Sequence, residues 1–226
     1  MSSAFEGALS SSVLAAQHAV YRALGSFFLP PDPDRLATLV IAVPELERVA
    51  RPLEGMAGHH TWTGLLRRLE LLDDDDVERM GTEYTSLFLS GSRDLTVQPF
   101  ESSYVPVSEY DVATVSAAVE ARYRRAGLQL ASKGELPDHL AVELEFCAYL
   151  CHQEGDATDD GDATRWRAER RAFLIDHLVR WLPSFAEKLA RVMPDSSYLQ
   201  ATEVARAVTA DDLSVIDAFA AAPTPS

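Results

Sequence analysis

Apolar residues recur along most of the chain at the three- to four-residue spacing of amphipathic helices. The first such segment carries Val13, Val20, Leu24 and Phe27 near one face, and it ends before Pro30. No segment alternates in the manner of a half-buried strand. The pattern therefore predicts an all-α fold of about ten helices in a single domain spanning residues 1–226.

Helix boundaries follow from prolines, glycines and capping residues. Pro44 is predicted to interrupt the second helix, for which Asp34 is a candidate cap, and Pro183 is predicted to end a later one. Further helices are predicted at 61–72, about 77–90, 108–126, from Pro137, 163–182, 184–193, 196–209 and 211–221. The four aspartates at 73–76 are interpreted as a solvated turn whose charge favours the start of a helix.

Composition limits the partners and the cellular compartment that fit this chain. The formal net charge is −15, and Asp and Glu outnumber Lys and Arg by 35 to 20, so nucleic acid and anionic membranes are disfavoured as partners. The first twenty residues contain no Lys or Arg, which excludes a secretory signal, and no apolar run of about eighteen residues predicts membrane insertion. Cys147 and Cys151 are the only cysteines, which fits a reducing, cytoplasmic compartment.

Two segments superficially resemble metal sites. The acidic segment at 155–162 is similar to the start of a calcium loop, but the position of the closing glutamate is occupied by Arg167. Cys147, Cys151 and His152 offer three soft ligands on one helix, yet no second ligand cluster accompanies them. We therefore expect a flexible acidic loop at 155–162, core packing for the cysteines and no metal.

Two stretches concentrate groups that do chemistry. "PFESSY" contains Glu101 and Ser102, and "ELPDHLAVELEFCAYL" contains Asp138, His139 and Glu143. Such groups are typical of acid–base or nucleophilic sites, but no nucleophile elbow and no glycine-rich phosphate loop is present. The alternative is structural: Asp138 lies in the first turn of a helix, and Glu143 and Glu145 are exposed positions. Residue spacing alone leaves both interpretations open.

A family resemblance covers these stretches. In order along the chain, "EYTSLF", "QPFESSY", "YRRAGL", "ELPDHLAVELEFCAYL", "FLIDHLVRWLPSFAEKL" and "SSYLQATEVARA" resemble the TorD/DmsD/NarJ family of redox-enzyme maturation chaperones. The likeness spans about residues 83–207, whereas residues 1–80 match only as N-terminal helices of suitable length. It implies an all-helical, non-catalytic protein that binds the immature catalytic subunit of a molybdopterin-dependent oxidoreductase. In many members the subunit's twin-arginine signal peptide is bound, and the enzyme stays in the cytoplasm until its cofactor is inserted.

The resemblance also implies site residues. Pro137, Asp138 and His139 fall on the family's Pro-Asp-His segment, which is implicated in signal-peptide binding, and Glu101, Ser102 and Tyr104 fall on its Glu-Ser-x-Tyr segment. Glu143 follows on the same helix. The family includes monomers and homodimers and has no resident cofactor, although weak guanine-nucleotide binding is proposed for some members. Some members carry tryptophans next to the proline before the Glu-Ser-x-Tyr segment, where this chain has Val97, Gln98, Pro99 and Phe100. The sequence therefore does not identify which reductase is the client.

Elementary chemistry agrees with a peptide receptor. A twin-arginine peptide pairs two guanidinium groups with a short apolar run, so its receptor needs carboxylates beside an apolar surface. Asp138 and a glutamate on the following helix are candidates for these carboxylates. Two alternatives remain: a small hydrolase that uses His139 with Glu101 or Asp138, and a helical regulatory protein that binds a basic partner.

Overall fold

The computed structural model describes residues 11–89, 96–105, 112–130 and 136–221, and these are helical apart from short connections. The described helices are α1 (Ser11–Phe27), α2 (Pro33–Ala50), α3 (Ala57–Glu70), α4 (Asp74–Tyr84), α5 (Val112–Arg125), α6 (Leu140–Gly155), α7 (Asp160–Phe173), α8 (Val179–Val192) and α9 (Ser197–Ala221). The only β pairing within those ranges is an isolated antiparallel bridge between Phe100 and His139. The predicted all-α class is confirmed.

Two π turns extend the helices. One, Thr85–Leu89, continues α4, and the other, Leu174–Leu178, joins α7 to α8 so that both form one continuous rod. Short 3-10 turns occupy Arg51–Leu53 and Glu101–Ser103. The predicted helix start at Ser108 and the first residue of the acidic-aromatic stretch, Glu135, lie outside the described residues.

Helix α1 forms the centre of the packing. It lies against α2, α6 and α9, while α3 and α8 pack on α9 and α7 packs on α6. A Cβ atom added at Gly25 would approach the carbonyl oxygen of Ala141 to 3.0 Å, so the absence of a side chain allows α1 and α6 to meet closely. The buried face of α1 carries Val20, Tyr21 and Leu24.

A buried polar network crosses this core and joins four helices. The Arg170 guanidinium on α7 donates to Glu154 Oε2 on α6 at 2.7 Å and to the carboxylate of Asp212 on α9. Asp212 also accepts from Gln17 and from the hydroxyl of Tyr21 on α1, each at 3.0 Å. Because Arg170 and Asp212 have no exposed surface, each charge depends on the other for compensation.

Several predicted boundaries were wrong. Pro44 and Pro183 lie inside α2 and α8 rather than ending helices, and the segments 196–209 and 211–221 form one helix, α9. The acidic loop is shorter than predicted because Asp159 caps α7 by accepting a hydrogen bond from the backbone of Asp162 at 2.9 Å. Asp32, and not Asp34, caps α2.

The aspartates at 73–76 form the beginning of α4. Asp73 and Asp76 make a reciprocal capping box, so this acidic run belongs to the helix as well as to the turn. The cysteines pack as predicted, since Cys147 and Cys151 are buried free thiols. None of the helices among the described residues has the length and apolar character needed to cross a bilayer.

Candidate functional site

The two stretches singled out in the sequence meet in space, although more than thirty residues separate them. The backbone N–H of Glu101 donates to the carbonyl of Asp138, and that of Leu140 donates to the carbonyl of Pro99, both at 2.9 Å. The rings of Phe100 and His139 lie 5.0 Å apart in an edge-to-face arrangement. The 99–104 turn and the segment before α6 are therefore fixed to each other as one unit.

Asp138 supports this junction from inside. Its Oδ2 accepts a hydrogen bond from the backbone N–H of Ser102 at 3.2 Å, and only 1% of the residue is exposed. The prediction that α6 begins near Pro137, with Asp138 in its first turn, was wrong: the helix begins at Leu140 and its N-cap is His139. Asp138 thus holds the neighbouring turn instead of capping its own helix.

His139 caps α6 through its imidazole. Nδ1 accepts a hydrogen bond from the backbone N–H of Ala141 at 3.1 Å, which requires an unprotonated nitrogen at that position. Burial lowers the pKa of His139 to about 4, and the charge of Asp138 opposes this only in part. The cap is therefore a neutral imidazole at physiological pH.

Acidification is expected to destabilise the protein through His139. Because the folded-state pKa is about 4 and the ordinary value is 6.5, the contribution of the neutral imidazole is complete above pH 6.5 and is lost as the pH falls towards 4. The free energy of unfolding is expected to fall by roughly 3 kcal/mol between pH 7 and pH 4. Urea unfolding of the wild type and of His139→Asn, which keeps a capping acceptor without a titrating group, measures the difference. Parallel pH profiles for the two proteins would contradict the assignment.

Glu143 is buried, so its interpretation as an ordinary exposed position was wrong. Its Oε2 accepts from the indole N–H of Trp181 at 3.0 Å. Nearby, Oε2 of Glu101 lies 2.8 Å from Nδ1 of His177. Burial raises the pKa of Glu143 well above its ordinary range, and the Glu101 carboxylate adds to that rise. Both influences favour the neutral, protonated form of the Glu143 carboxyl.

Glu101, Glu143 and His177 offer ligand atoms that all lie within 4.8 Å of one another. Two carboxylates and an imidazole are donors that divalent metals accept, and among the described residues this is the set close enough to share an ion. The sequence-based prediction of no metal remains a prediction. His177 is a residue that the site prediction missed, although the "IDHLVRW" stretch around it contributed to the family resemblance.

The seven predicted site residues divide by exposure. Glu101, Asp138, His139 and Glu143 are buried, whereas Ser102, Tyr104 and Pro137 are partly exposed. The ring of Tyr104 stacks on Trp181 with centroids 5.6 Å apart. Nδ1 of His139 accepts from the backbone of Ala141, and Glu101 pairs with His177. Within the described structure no hydrogen bond or ion pair joins His139 to Glu101 or Asp138, the pairing on which the hydrolase alternative depends.

A small apolar pocket lies directly beside this junction. The hydroxyl of Tyr123 donates to the carbonyl of Pro137 at 2.8 Å, and its ring faces the pocket from α5. The cavity measures about 300 Å³. It is lined by Tyr123, Leu128, Gln129, Leu130, Val142, Glu145, Phe146 and Tyr149. Glu145 is exposed and is the one carboxylate in the described lining; it is the second residue that the site prediction missed.

Comparison with known proteins adds independent information. The sequence model of the family described as "Nitrate reductase delta subunit" matches residues 55–187, more than half of the chain. The chain is 38% identical over 125 residues to a selenate reductase assembly chaperone protein of Thauera selenatis, covering 54% of this chain and 63% of that protein. It is 36% identical over 114 residues to a chlorate reductase assembly chaperone protein of Ideonella dechloratans, covering 50% and 58%.

The match thus spans about six tenths of the length of these relatives. Among solved structures, one described as a putative redox enzyme maturation protein from Archaeoglobus fulgidus aligns with 84% of this chain and 91% of its own. Its TM-score is 0.48 and its sequence identity 22%.

Proposed function

Because the chain belongs to the nitrate reductase delta subunit family, whose relatives here are named assembly chaperones, we propose that it assists the assembly of a molybdopterin-dependent oxidoreductase. It binds the immature catalytic subunit in the cytoplasm, keeps it competent for cofactor insertion and delays its export. Family membership is the observation that carries this proposal. The protein acts by binding and needs no catalytic residue of its own.

The small apolar pocket lined by Glu145, Phe146 and Tyr149 of α6, called the α6 pocket below, is the part of the described surface that best fits a twin-arginine signal peptide. Such a peptide presents a guanidinium group close to a run of apolar side chains. The pocket offers the complementary pair, an exposed carboxylate on Glu145 and apolar walls from Leu128, Leu130 and Phe146. It also adjoins Pro137 through Tyr123, so it lies next to the segment that the family resemblance implicates.

The predicted site residues take two roles in this proposal. Pro137, Ser102 and Tyr104 keep exposed surface, as does Leu136, which is 56% exposed, so they are the members of the two segments that a bound peptide can reach. The buried groups of Glu101, Asp138, His139 and Glu143 hold that surface in shape. Substituting a buried member is therefore expected to alter binding through the fold as well as at the surface.

Magnitudes indicate which contact supplies affinity. An exposed arginine–carboxylate pair contributes about 1 kcal/mol or less, which is a factor of about five in the dissociation constant. Burial of apolar side chains contributes about 25 cal/mol per Å², so a few residues of the peptide exceed the ion pair. We therefore expect the apolar run to supply most of the affinity and Glu145 to supply the preference for arginine.

Glu145→Gln is expected to weaken binding of a synthetic twin-arginine signal peptide two- to fivefold, because the change removes the charge and keeps the shape. Fluorescence anisotropy measures the dissociation constant. Glu187→Gln, an exposed glutamate on α8 outside the pocket, is the matched control and should change nothing. Replacing both arginines of the peptide by glutamine should abolish the difference between wild type and Glu145→Gln. If Glu145→Gln weakens binding of the arginine peptide and of the glutamine peptide equally, Glu145 does not contact arginine.

The broader proposal is tested by affinity purification of the full-length protein from its native host, with mass spectrometry of the co-eluting proteins. The expected partner is a molybdopterin oxidoreductase subunit that retains its signal peptide and lacks cofactor. Recovery of only mature, cofactor-loaded enzyme, or of no oxidoreductase, would contradict the assembly role.

A further inference from the structure

A second and larger groove lies between α5 and the π turn that joins α7 to α8. Its volume is about 820 Å³, compared with 300 Å³ for the α6 pocket. The buried pair of Glu101 and His177 forms part of its floor. Arg122, Arg124 and Arg125 from α5 and Arg180 from α8 line it.

The α5 wall of the groove is a continuous helical stripe. Val115, Ala118, Ala121 and Arg125 recur at helical spacing along it, while the opposite face of α5 is buried through Val119 and other apolar residues. The lined part of α5 runs from Thr114 to Arg125, which is about 17 Å at 1.5 Å per residue. The groove is therefore elongated, with small apolar side chains along α5, three arginines at the end of that helix and Arg180 on the facing helix.

The charges of these four arginines are only partly compensated. Arg122 is engaged, because its guanidinium contacts Glu169 at 3.1 Å and also the carboxylate of Asp176. Arg124, Arg125 and Arg180 are exposed, and within the described parts of the chain none of them forms an ion pair with a carboxylate. Arg180 donates only to the backbone carbonyl of Asp176.

This local excess is opposite in sign to the rest of the molecule. The formal net charge of the chain is −15, yet four of its twenty Lys and Arg residues converge on one groove from two helices. Glu169 and Asp176 compensate Arg122, so Arg124, Arg125 and Arg180 carry the local positive charge. Such a concave positive surface attracts anionic groups, and guanidinium groups bind carboxylates with directional hydrogen bonds.

We propose that this groove binds an acidic peptide segment of a partner protein, with apolar side chains along the α5 stripe and carboxylates at Arg124, Arg125 and Arg180. The groove accommodates about five residues of extended chain at 3.3–3.6 Å each or about three turns of helix. An isolated phosphate group would use the arginines but leave the apolar stripe uncovered. The site goes beyond the proposed function because its ligand has the opposite charge to a twin-arginine peptide.

The test uses a fluorescein-labelled synthetic 12-residue peptide, with leucine and alanine in its first two thirds and four glutamates at its end. At physiological ionic strength the wild-type protein is expected to bind it, and Arg124→Gln/Arg125→Gln to bind it at least fivefold more weakly. A peptide with glutamine in place of glutamate should bind as weakly to the wild type as the acidic peptide does to the variant. Ala118→Glu, which introduces like charge into the stripe, should also weaken binding of the acidic peptide.

The matched control is Arg22→Gln/Arg191→Gln, which removes two exposed arginines outside the groove and changes the net charge equally. It should leave the affinity for the acidic peptide unchanged, and both double variants should keep wild-type affinity for the signal peptide. No binding of the acidic peptide, equal loss in both double variants, or complete displacement by inorganic phosphate or a nucleoside triphosphate at micromolar concentration would overturn the proposal. Failure of signal-peptide binding alone would leave it intact.

Discussion

Replacing Arg170 by alanine is expected to lower the free energy of unfolding by about 3–5 kcal/mol, because it leaves the buried carboxylate of Asp212 without its cation. The carboxylates of Glu154 and Asp212 both pair with this guanidinium and are almost completely buried. Glu154 keeps a second partner, Arg167 at 2.7 Å, whereas Arg170 is the only cation that pairs with Asp212 among the described residues. Burial already raises the pKa of Asp212, and Arg170 is the main group that opposes this rise. Urea unfolding at pH 7 measures the effect, which would threaten the fold of a domain with ordinary stability.

Two controls separate this network from a general effect of losing an arginine. Arg206→Ala removes an exposed i,i+3 ion pair with Glu203 and should cost about 0.5 kcal/mol or less. Lowering the pH should recover part of the Arg170→Ala loss: burial holds the folded-state pKa of Asp212 above its unfolded value, so the penalty declines as Asp212 becomes protonated. A loss below about 1 kcal/mol at pH 7 would show that the buried charges are not coupled.

Trp181→Ala is the second substitution for which we expect a large effect, a loss of about 3–5 kcal/mol. The indole has no exposed surface, and its ring contacts those of Tyr104 and Phe185 at centroid distances of 5.6 and 5.3 Å. The change leaves a cavity beside the 99–104 turn and removes the N–H group that donates a hydrogen bond to Glu143. Chemical denaturation of the purified variant measures the loss.

Trp181→Phe separates the hydrogen bond from the cavity, because it keeps most of the aromatic volume and removes the donor. Trp62 provides the comparison: it is equally buried, but its indole N–H has no acceptor among the described residues. We expect Trp181→Phe to cost about 1 kcal/mol more than Trp62→Phe. Equal costs for the two phenylalanine variants would show that the contact with Glu143 contributes nothing to stability.

The fold class was accessible from the sequence because helical periodicity is strong in most of the amphipathic segments. Pro44 and Pro183 were predicted to end helices because proline removes a backbone hydrogen bond. In the structure, tertiary packing of the residues beyond each proline competes with that local cost. Pro183 removes one backbone hydrogen bond at a cost of about 3 kcal/mol, whereas continuing α8 beyond it buries Phe185 and Leu189 at about 1.5–3 kcal/mol each. Only the structure shows that these side chains have a core to enter.

The site illustrates a different limit. The family resemblance identified the two segments that meet, but the residue pattern did not show which carboxylates are exposed. Helix α6 is apolar on nearly every side, so its sequence has little amphipathic direction from which to orient Glu143 and Glu145. Their opposite environments depend on where α1, α7 and α8 lie. The arginine groove was missed for the same reason, since its charges come from two helices distant in sequence.

The π turn at Leu174–Leu178 fixes the rotational phase between the two halves of a long rod. Phe173 and Trp181 are eight positions apart, and in an unbroken α-helix their side chains would point about 80° away from each other. The one extra residue in a π turn rewinds the helix by roughly 100°, which returns Trp181 to the same side as Phe173. Both are fully buried. The length of this segment is therefore as constrained as its chemistry: a single-residue deletion there would turn α8, with Trp181 and Arg180, away from the surfaces they now form.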